Sequence, residues 1–329
     1  MGVSITDDEA ARISFLGRRK YDRYDHFYPG ETFDSRLLKW LSKNFKKNER
    51  QIALEIIKCL KFVSTYEMKQ LAARTFEHAK YSIIQDFCDV PTIDWYSFIE
   101  HRASELKKEL TKSIFVACAD DINFDYFRRY AMRQYRFKKE NFVEYYKRDN
   151  DSLQELPSHN RIFLIDQVSA SGTTALRYED DKWRGKIATF KKIWENHINK
   201  NSIYYCPYIL SSVAAQNLNK RFAEFKHTYS DLNISLTPTC RASIATCLSN
   251  NDGTDIDESK PVAKLCQKYY YKFIEDEHIK KAGVRATYGF GRAGLTLVLQ
   301  PNCPNDTLYL LWHSDNGWYP LFPRISHHT

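Results

Sequence analysis

Apolar positions in the first part of the chain recur every three or four residues. Leu37, Leu38, Leu41 and Phe45 follow Asp34, and Ile52, Ile56, Ile57 and Leu60 follow Asn48. That spacing puts each set on one face of a helix. Thr6-x-x-Glu9 and Ser64-x-x-Glu67 have the form of capping boxes, in which a hydroxyl and a carboxylate satisfy the first free N–H groups of a helix. The second box leads into Leu71, Phe76 and Ile83. Pro91 breaks that run, and Asp94 starts another through Phe98, Leu106 and Leu110. Tyr21 to Gly30 is aromatic-rich, ends in Pro29-Gly30, and is expected to be a packed loop. No strand signal precedes residue 112.

The pattern then changes. Ser113 to Ala119 is a short apolar run ending at Asp120 and Asp121, the mark of a strand buried on both faces. Strands are expected at 162–168, 203–210, 233–240 and 295–300, with helices at 186–200, 212–227 and 258–276 between them. Strands alternating with helices of that length argue for an α/β fold, a mostly parallel twisted sheet with flanking helices. The expected division is a helical region over 1–110 followed by an α/β domain over 111–329.

Composition narrows the class only a little. Apolar residues make up 43% of the 329 and charged residues 27%, as expected of a globular protein. No basic flank with an apolar stretch opens the chain, and no run approaches the roughly 20 apolar residues of a membrane span. A cytoplasmic location without a membrane partner is expected. The eight cysteines form no CxxC pair and read as buried, reduced thiols. The net charge of +8 favours polyanions without choosing among them.

The chemistry concentrates between Arg161 and Thr174. Ile162-Phe163-Leu164-Ile165 is an apolar strand ending at Asp166 and Gln167, and in a parallel sheet ligands sit beyond the carboxyl ends of strands. Ser169, Ala170, Ser171, Gly172 and Thr173 follow, all small, and then Thr174. Small residues let successive main-chain N–H groups close on an anion. The hydroxyls of Ser171, Thr173 and Thr174 complete a donor set suited to a phosphate monoester.

This segment resembles the PRPP motif of type I phosphoribosyltransferases. There an apolar strand runs into two acidic residues, two apolar or small residues and a (T/S)-G-x-T turn. Asp166 stands at the first acid, Gln167 at the second, and Ser171-Gly172-Thr173-Thr174 at the turn. The resemblance implies that residues 169–174 bind a 5′-phosphate. It also implies that Asp166 and Gln167, the catalytic positions, hold ribose hydroxyls, partly through Mg²⁺. Two residues depart from the pattern: Gln167 replaces an acid, and Ala170 stands where purine-salvage members carry an Asp near the base. An altered acceptor, or binding without turnover, is therefore expected. The family's pyrophosphate loop would fall after the first core strand, where Asp120, Asp121, Arg128 and Arg129 are the candidates for pyrophosphate or Mg²⁺.

The C-terminal segment carries a second resemblance. Gly294 to Trp312 holds Asn302-Cys303-Pro304-Asn305, and Trp318 to Arg324 reads W-Y-P-L-F-P-R. This is similar to the phosphoribosyltransferase-like branch of bacterial conflict systems, some members of which lie in retron operons. It implies an anti-phage effector that acts on PRPP or a nucleotide. Its implied partners are a retron reverse transcriptase, RNA or DNA, or a DNA-binding accessory protein.

Two further patterns need weighing. Gly289-x-Gly291-x-x-Gly294 has the letters of a dinucleotide fingerprint, but no strand precedes it and no helix follows, so a loop is expected. Residues 128–148 hold eight basic and two acidic residues with six interleaved aromatics. The simpler reading is a cationic helix with its aromatic face packed inward. The alternative is a nucleic-acid surface through Arg133, Arg136, Lys138 and Lys139. Two functions remain: a phosphoribosyl-transferring effector, and a non-catalytic sensor or partner-binding protein using the same pocket.

Overall fold

The structure is a computed structural model of the whole chain. It describes residues 7–87, 110–118, 124–135, 137–144, 161–193, 202–230, 232–237, 239–270, 287–314 and 317–325. In chain order the helices and strands are α1 (Asp7–Arg19), α2 (Phe33–Asn44), α3 (Arg50–Lys58), β1 (Lys61–Val63), α4 (Thr65–Phe87), β2 (Ser113–Ala117), α5 (Phe124–Tyr135), β3 (Phe142–Glu144) and β4 (Arg161–Ser169). Then follow β5 (Arg177–Glu179), β6 (Lys182–Arg184), α6 (Lys186–Ile193), β7 (Ser202–Ser211), α7 (Ser212–Thr228), β8 (Asn233–Leu236), β9 (Cys240–Ala242), α8 (Pro261–Tyr270), β10 (Leu297–Leu299) and α9 (Tyr309–Trp312).

The chain forms two compact units. One comprises Met1–Glu67, Ser211–Val213 and Ala242–Thr329; the other comprises Met68–Leu210 and Ala214–Arg241. Thr6, the expected cap of the first helix, and Asp94, the expected start of a further one, lie outside the described residues; in the first unit, α3 starts at Arg50 without a side-chain cap. Thr32 caps α2, its hydroxyl accepting from the N–H of Ser35 at 3.2 Å. The capping box expected at Ser64 is present: Glu67 N–H donates to Ser64 Oγ at 3.2 Å, and Ser64 N–H to Glu67 Oε2 at 2.7 Å. Two expectations fail here. Lys61–Val63 is a strand, although no strand was expected before residue 112. The strand near 295–300 pairs with it in parallel, Lys61 opposite Leu297, instead of joining the large sheet. A three-residue strand has no period to read, so only its partner defines it.

The C-terminal W-Y-P-L-F-P-R segment is core material of this unit. Phe322 is fully buried amid Tyr21, Tyr24, Phe27, Phe33 and Phe62, with ring centroids 5.3–6.4 Å away. Trp40 and Trp318 both donate their indole N–H to the carbonyl of Leu310, at 2.6 and 3.1 Å. Buried indoles need such an acceptor. The glycine-rich stretch 289–294 contains a short 3₁₀ turn at Phe290–Arg292, and Arg292 pairs with Glu258 at 3.1 Å, consistent with a loop.

The second unit carries the parallel sheet, in spatial order β3-β2-β4-β7-β8, with β9 also against β7. Its central strands are buried on both faces, which accounts for their nearly unbroken apolar sequence. One face packs Ile114, Val116, Ile162, Leu164 and Ile203 against Ile187, Leu218, Phe222 and Phe225 of α6 and α7. The other face is an aromatic ladder. Phe142, Phe115, Phe163 and Tyr204 lie in register on four adjacent strands and stack at 5.5, 5.1 and 4.7 Å. Cross-strand aromatic pairs of this kind stabilise sheets beyond their buried area.

The basic stretch after residue 128 is not one helix. α5 ends at Tyr135, a 3₁₀ turn spans Lys139–Asn141, and Phe142–Glu144 is an edge strand. Its described aromatics do face inward: Phe137 and Phe142 are buried, and Tyr130 and Tyr135 donate to Glu77 at 3.0 Å; Tyr145 and Tyr146 lie outside the described residues.

Candidate functional site

In chain order the five parallel strands run 2-1-3-4-5 across the sheet, so the winding reverses between β2 and β4. In doubly wound sheets the crevice at that reversal, beyond the strand ends, is where ligands bind. Pairing of β2 with β4 ends at Ala117 opposite Ile165, while β4 continues beside β7 to Ser169 opposite Leu210. Asp166 is the first residue of β4 past the end of β2.

Asp166 is buried, and its carboxylate is fully engaged. Lys186 Nζ donates to Oδ1 at 2.9 Å and to Oδ2 at 2.8 Å. The Tyr205 hydroxyl donates to Oδ2 at 2.8 Å, and the Gln167 N–H to Oδ1 at 2.9 Å. Burial and the neighbouring Asp166 charge push the Tyr205 phenol well above its usual range, so it remains a donor. The same two causes push up the thiol of Cys118, at the end of β2. Breaking a buried pair such as Asp166–Lys186 by removing one partner costs about 3–5 kcal/mol.

The turn is built by backbone constraints. Gly172 has φ +73°, and a Cβ there would lie 2.9 Å from Leu218 Cγ of α7. Leu176 N–H donates to the Gly172 carbonyl at 3.0 Å, Thr173 N–H to Ser171 Oγ at 3.3 Å, and Asn217 Nδ2 to the Ser171 carbonyl at 3.1 Å. Ser169, Ala170, Ser171 and Gly172 are buried, Thr173 is half-buried and Thr174 is exposed. The antiparallel β5–β6 hairpin leads back to Gly185, whose φ is +103°. A Cβ at Gly185 would meet the carbonyl oxygens of Thr174 and Ala175 at 2.8 Å. That close approach lets Lys186 N–H donate to the Thr174 carbonyl at 3.0 Å. Lys186 is thus tied to the turn by its backbone and to Asp166 by its side chain.

Sequence reasoning missed Lys186 and Tyr205. A signal existed for each. Gly185-Lys186 opens a helix right after a turn, and a tyrosine within an apolar strand needs a partner for its hydroxyl. Gln167 lies on the opposite face from Asp166 and is 5% exposed. Beside it on β7, Tyr208 has a fully buried hydroxyl with no hydrogen-bond partner among the described residues.

The remaining expected site residues are less closely gathered. Asp120, Asp121 and Arg136 lie outside the described residues. Arg128 and Arg129 on α5 both pair with Asp125, and the Arg129 pair holds the Asp125 carboxyl below its usual range. Arg133, Lys138 and Lys139 are exposed.

Mg²⁺ does not fit the described part of the site. A carboxylate has about four lone-pair positions, and Asp166 spends four on Lys186, Tyr205 and Gln167 N–H. Gln167 supplies no charge. Among the described residues no group of three His, Cys, Asp or Glu could hold a metal ion. No described helix is long and apolar enough to cross a membrane.

A family model described as PRTase-CE matches residues 37–324. The match includes the turn, the sheet and the C-terminal W-Y-P-L-F-P-R segment. No curated protein and no solved structure matches the chain.

Proposed function

This chain belongs to the PRTase-CE family, and from that premise we propose that its parallel-sheet unit binds a ribose 5-phosphate compound, PRPP or a nucleotide. The turn Ser169–Thr174 receives the phosphate. The observation that carries this reading is the placement of that turn. It leaves the central strand at the reversal of the sheet, with Gly172 at positive φ and held against α7. Main-chain N–H groups and the hydroxyls of Ser171, Thr173 and Thr174 are the donors. Asp166 acts through Lys186, fixing the position of its ammonium group.

Titration of the full chain with ribose 5-phosphate or PRPP is the direct test. Binding that weakens at least tenfold in Ser171→Ala/Thr173→Val, with an unchanged melting curve, supports the reading. Binding that this double substitution leaves untouched overturns it.

Two chemical outcomes remain. In an active member, the acceptor bonds to C1 of PRPP as the C1–O bond to pyrophosphate breaks, and free pyrophosphate leaves. The occupied Asp166 carboxylate and the neutral Gln167 favour the second outcome, binding without turnover. Pyrophosphate release on mixing with PRPP separates transfer from sensing.

The same reading makes the chain an effector of bacterial anti-phage defence. A reverse transcriptase, RNA or DNA, or a DNA-binding accessory protein would be its partner. The resemblance of the C-terminal segment supports this. Plaque counts on cells carrying the gene with its neighbours test it: protection that survives Ser171→Ala/Thr173→Val would separate defence from the phosphate site.

A further inference from the structure

Lys186 brings a positive charge to the start of the turn region. Lys186 contacts both oxygens of Asp166 within 2.9 Å, and Asp166 lies three residues before Ser169. Its backbone N–H holds the carbonyl of Thr174, the last residue of the turn. The side chain of Asp166 is 5% exposed, whereas that of Lys186 is 23% exposed, so the lysine is the more accessible partner of the pair. Tyr205 supports the carboxylate from the neighbouring strand. Gly185 fixes where α6 begins, because a Cβ there would collide with two main-chain oxygens of the turn.

A divalent ion at Asp166 would have to displace Lys186 or Tyr205 from a buried carboxylate. Removing either partner leaves a buried polar group unsatisfied, which is costly. An ammonium already in place has no such cost. It also contributes charge-assisted hydrogen bonds to a phosphate or to ribose oxygens.

We propose that Lys186, positioned by Asp166, Tyr205 and Gly185, is the resident cation of this site, and that a ribose phosphate binds there without a divalent ion on Asp166. This inference rests on the phosphate-binding reading of the turn given above.

The test uses the full chain and ribose 5-phosphate, titrated calorimetrically in EDTA and again in excess Mg²⁺. Lys186→Met alone would leave Asp166 buried and unpaired, so the informative variant is Asp166→Asn/Lys186→Met. It removes both charges and keeps a group for Tyr205 to meet, and circular dichroism and a melting curve check its fold. The expected result is equal wild-type affinity in EDTA and Mg²⁺, within about twofold, and at least a tenfold loss in the double variant, ~1.4 kcal/mol. Lys186→Arg, which keeps the charge, should retain more affinity than the double variant. Wild-type binding that appears only with Mg²⁺ overturns the inference and leaves the phosphate site standing. Undiminished binding by the folded double variant also overturns it. Absence of wild-type binding in both buffers overturns the inference together with the reading beneath it.

Discussion

Arg36 Nε donates to the main-chain oxygen of Leu321 at 3.1 Å, across 285 residues of sequence. Its Nη2 donates to the Pro320 oxygen at 2.7 Å, and its Nη1 pairs with Glu31 at 2.5 Å. The guanidinium also lies over the rings of Phe27 and Tyr319, at 5.1 and 4.9 Å. The C-terminal W-Y-P-L-F-P-R segment is therefore gripped by a buried side chain of α2. Arg36→Ala should destabilise the protein by about 3–5 kcal/mol, the usual cost of breaking a buried charged network. Arg36→Lys should recover little, since a point charge cannot serve acceptors in three directions. Urea unfolding followed by tryptophan fluorescence is the measurement. A loss under about 1 kcal/mol, the scale of an exposed pair, would reject the assignment.

Gly172 and Gly253 share φ +73°, but only Gly172 has a neighbour in the way. Gly253→Ala should cost about 1–2 kcal/mol, the strain of a left-handed residue with a Cβ. Gly172→Ala should cost more, because Leu218 must also move, and it should weaken ribose 5-phosphate binding, which Gly253→Ala should leave alone. Equal losses for the two variants would show that the turn tolerates the shift.

Cys59 accepts a hydrogen bond from Cys247 and is close to the Thr246 hydroxyl, 3.2 Å away. Those contacts lower its thiol from 9.0 to about 6, against the opposing effect of burial. Burial of the cysteines was expected from sequence; Cys59, Cys118 and Cys247 are instead half-buried, Cys240 is exposed, and Cys88 lies outside the described residues. Iodoacetamide labelling of Cys59 should rise with a midpoint near pH 6, and Cys247→Ala should move that midpoint upward. The sign for stability follows, because an acid with a depressed folded pKa favours the folded state at high pH. That contribution is complete above the unfolded thiol value and is lost as pH falls through about 6. A labelling midpoint at pH 8 or above would contradict the contact.

The hydroxyl of Tyr208 is buried with no hydrogen-bond partner among the described residues. Such a group costs about 1–3 kcal/mol. Tyr208→Phe should therefore raise the melting temperature of the ligand-free protein. If the same change weakens ribose 5-phosphate binding, the hydroxyl serves the ligand; unchanged binding assigns it to the core. A lowered melting temperature would mean that the hydroxyl has a partner in solution.

Tyr130, Tyr135, Phe137 and Phe142 are committed to Glu77 or to the interior, so they offer no stacking faces for bases. Among the described residues of this stretch, a nucleic acid would therefore be held by charge, through Arg133, Lys138 and Lys139. Affinity for single-stranded DNA should fall steeply with salt and drop after charge reversal at those three positions. Tyr130→Leu, which removes the ring, should leave it unchanged. A drop in binding by folded Tyr130→Leu equal to that of the charge reversals would restore the stacking model.

The parts legible in the sequence are those whose physics is local. Ile162 to Ile165 had to be a buried strand because no other short element suits an unbroken branched apolar run. Gly172 among hydroxyl residues had to be a turn, because only glycine enters the left-handed region cheaply. The Ser64 capping box needed a reach of three residues and formed as expected. Partners far along the chain were not legible. β1 exists because β10 returns to pair with it, and three residues carry no period that could announce either. The basic stretch appeared helical throughout because its aromatics recur at mixed spacings; pairing of Phe142 with Phe115 on β2 made its end a strand. Asp166 could be named from its position at the end of a strand, but its role could not. Whether a carboxylate is free for metal and sugar or already neutralised depends on what the fold brings to it. Here that is Lys186 from a helix start and Tyr205 from the next strand, 20 and 39 residues away. The sequence by itself determined that a small-residue turn follows a buried strand. Only the tertiary structure decided what charge stands beside that turn, because the cost of burying a charge is set by neighbours in space and not along the chain.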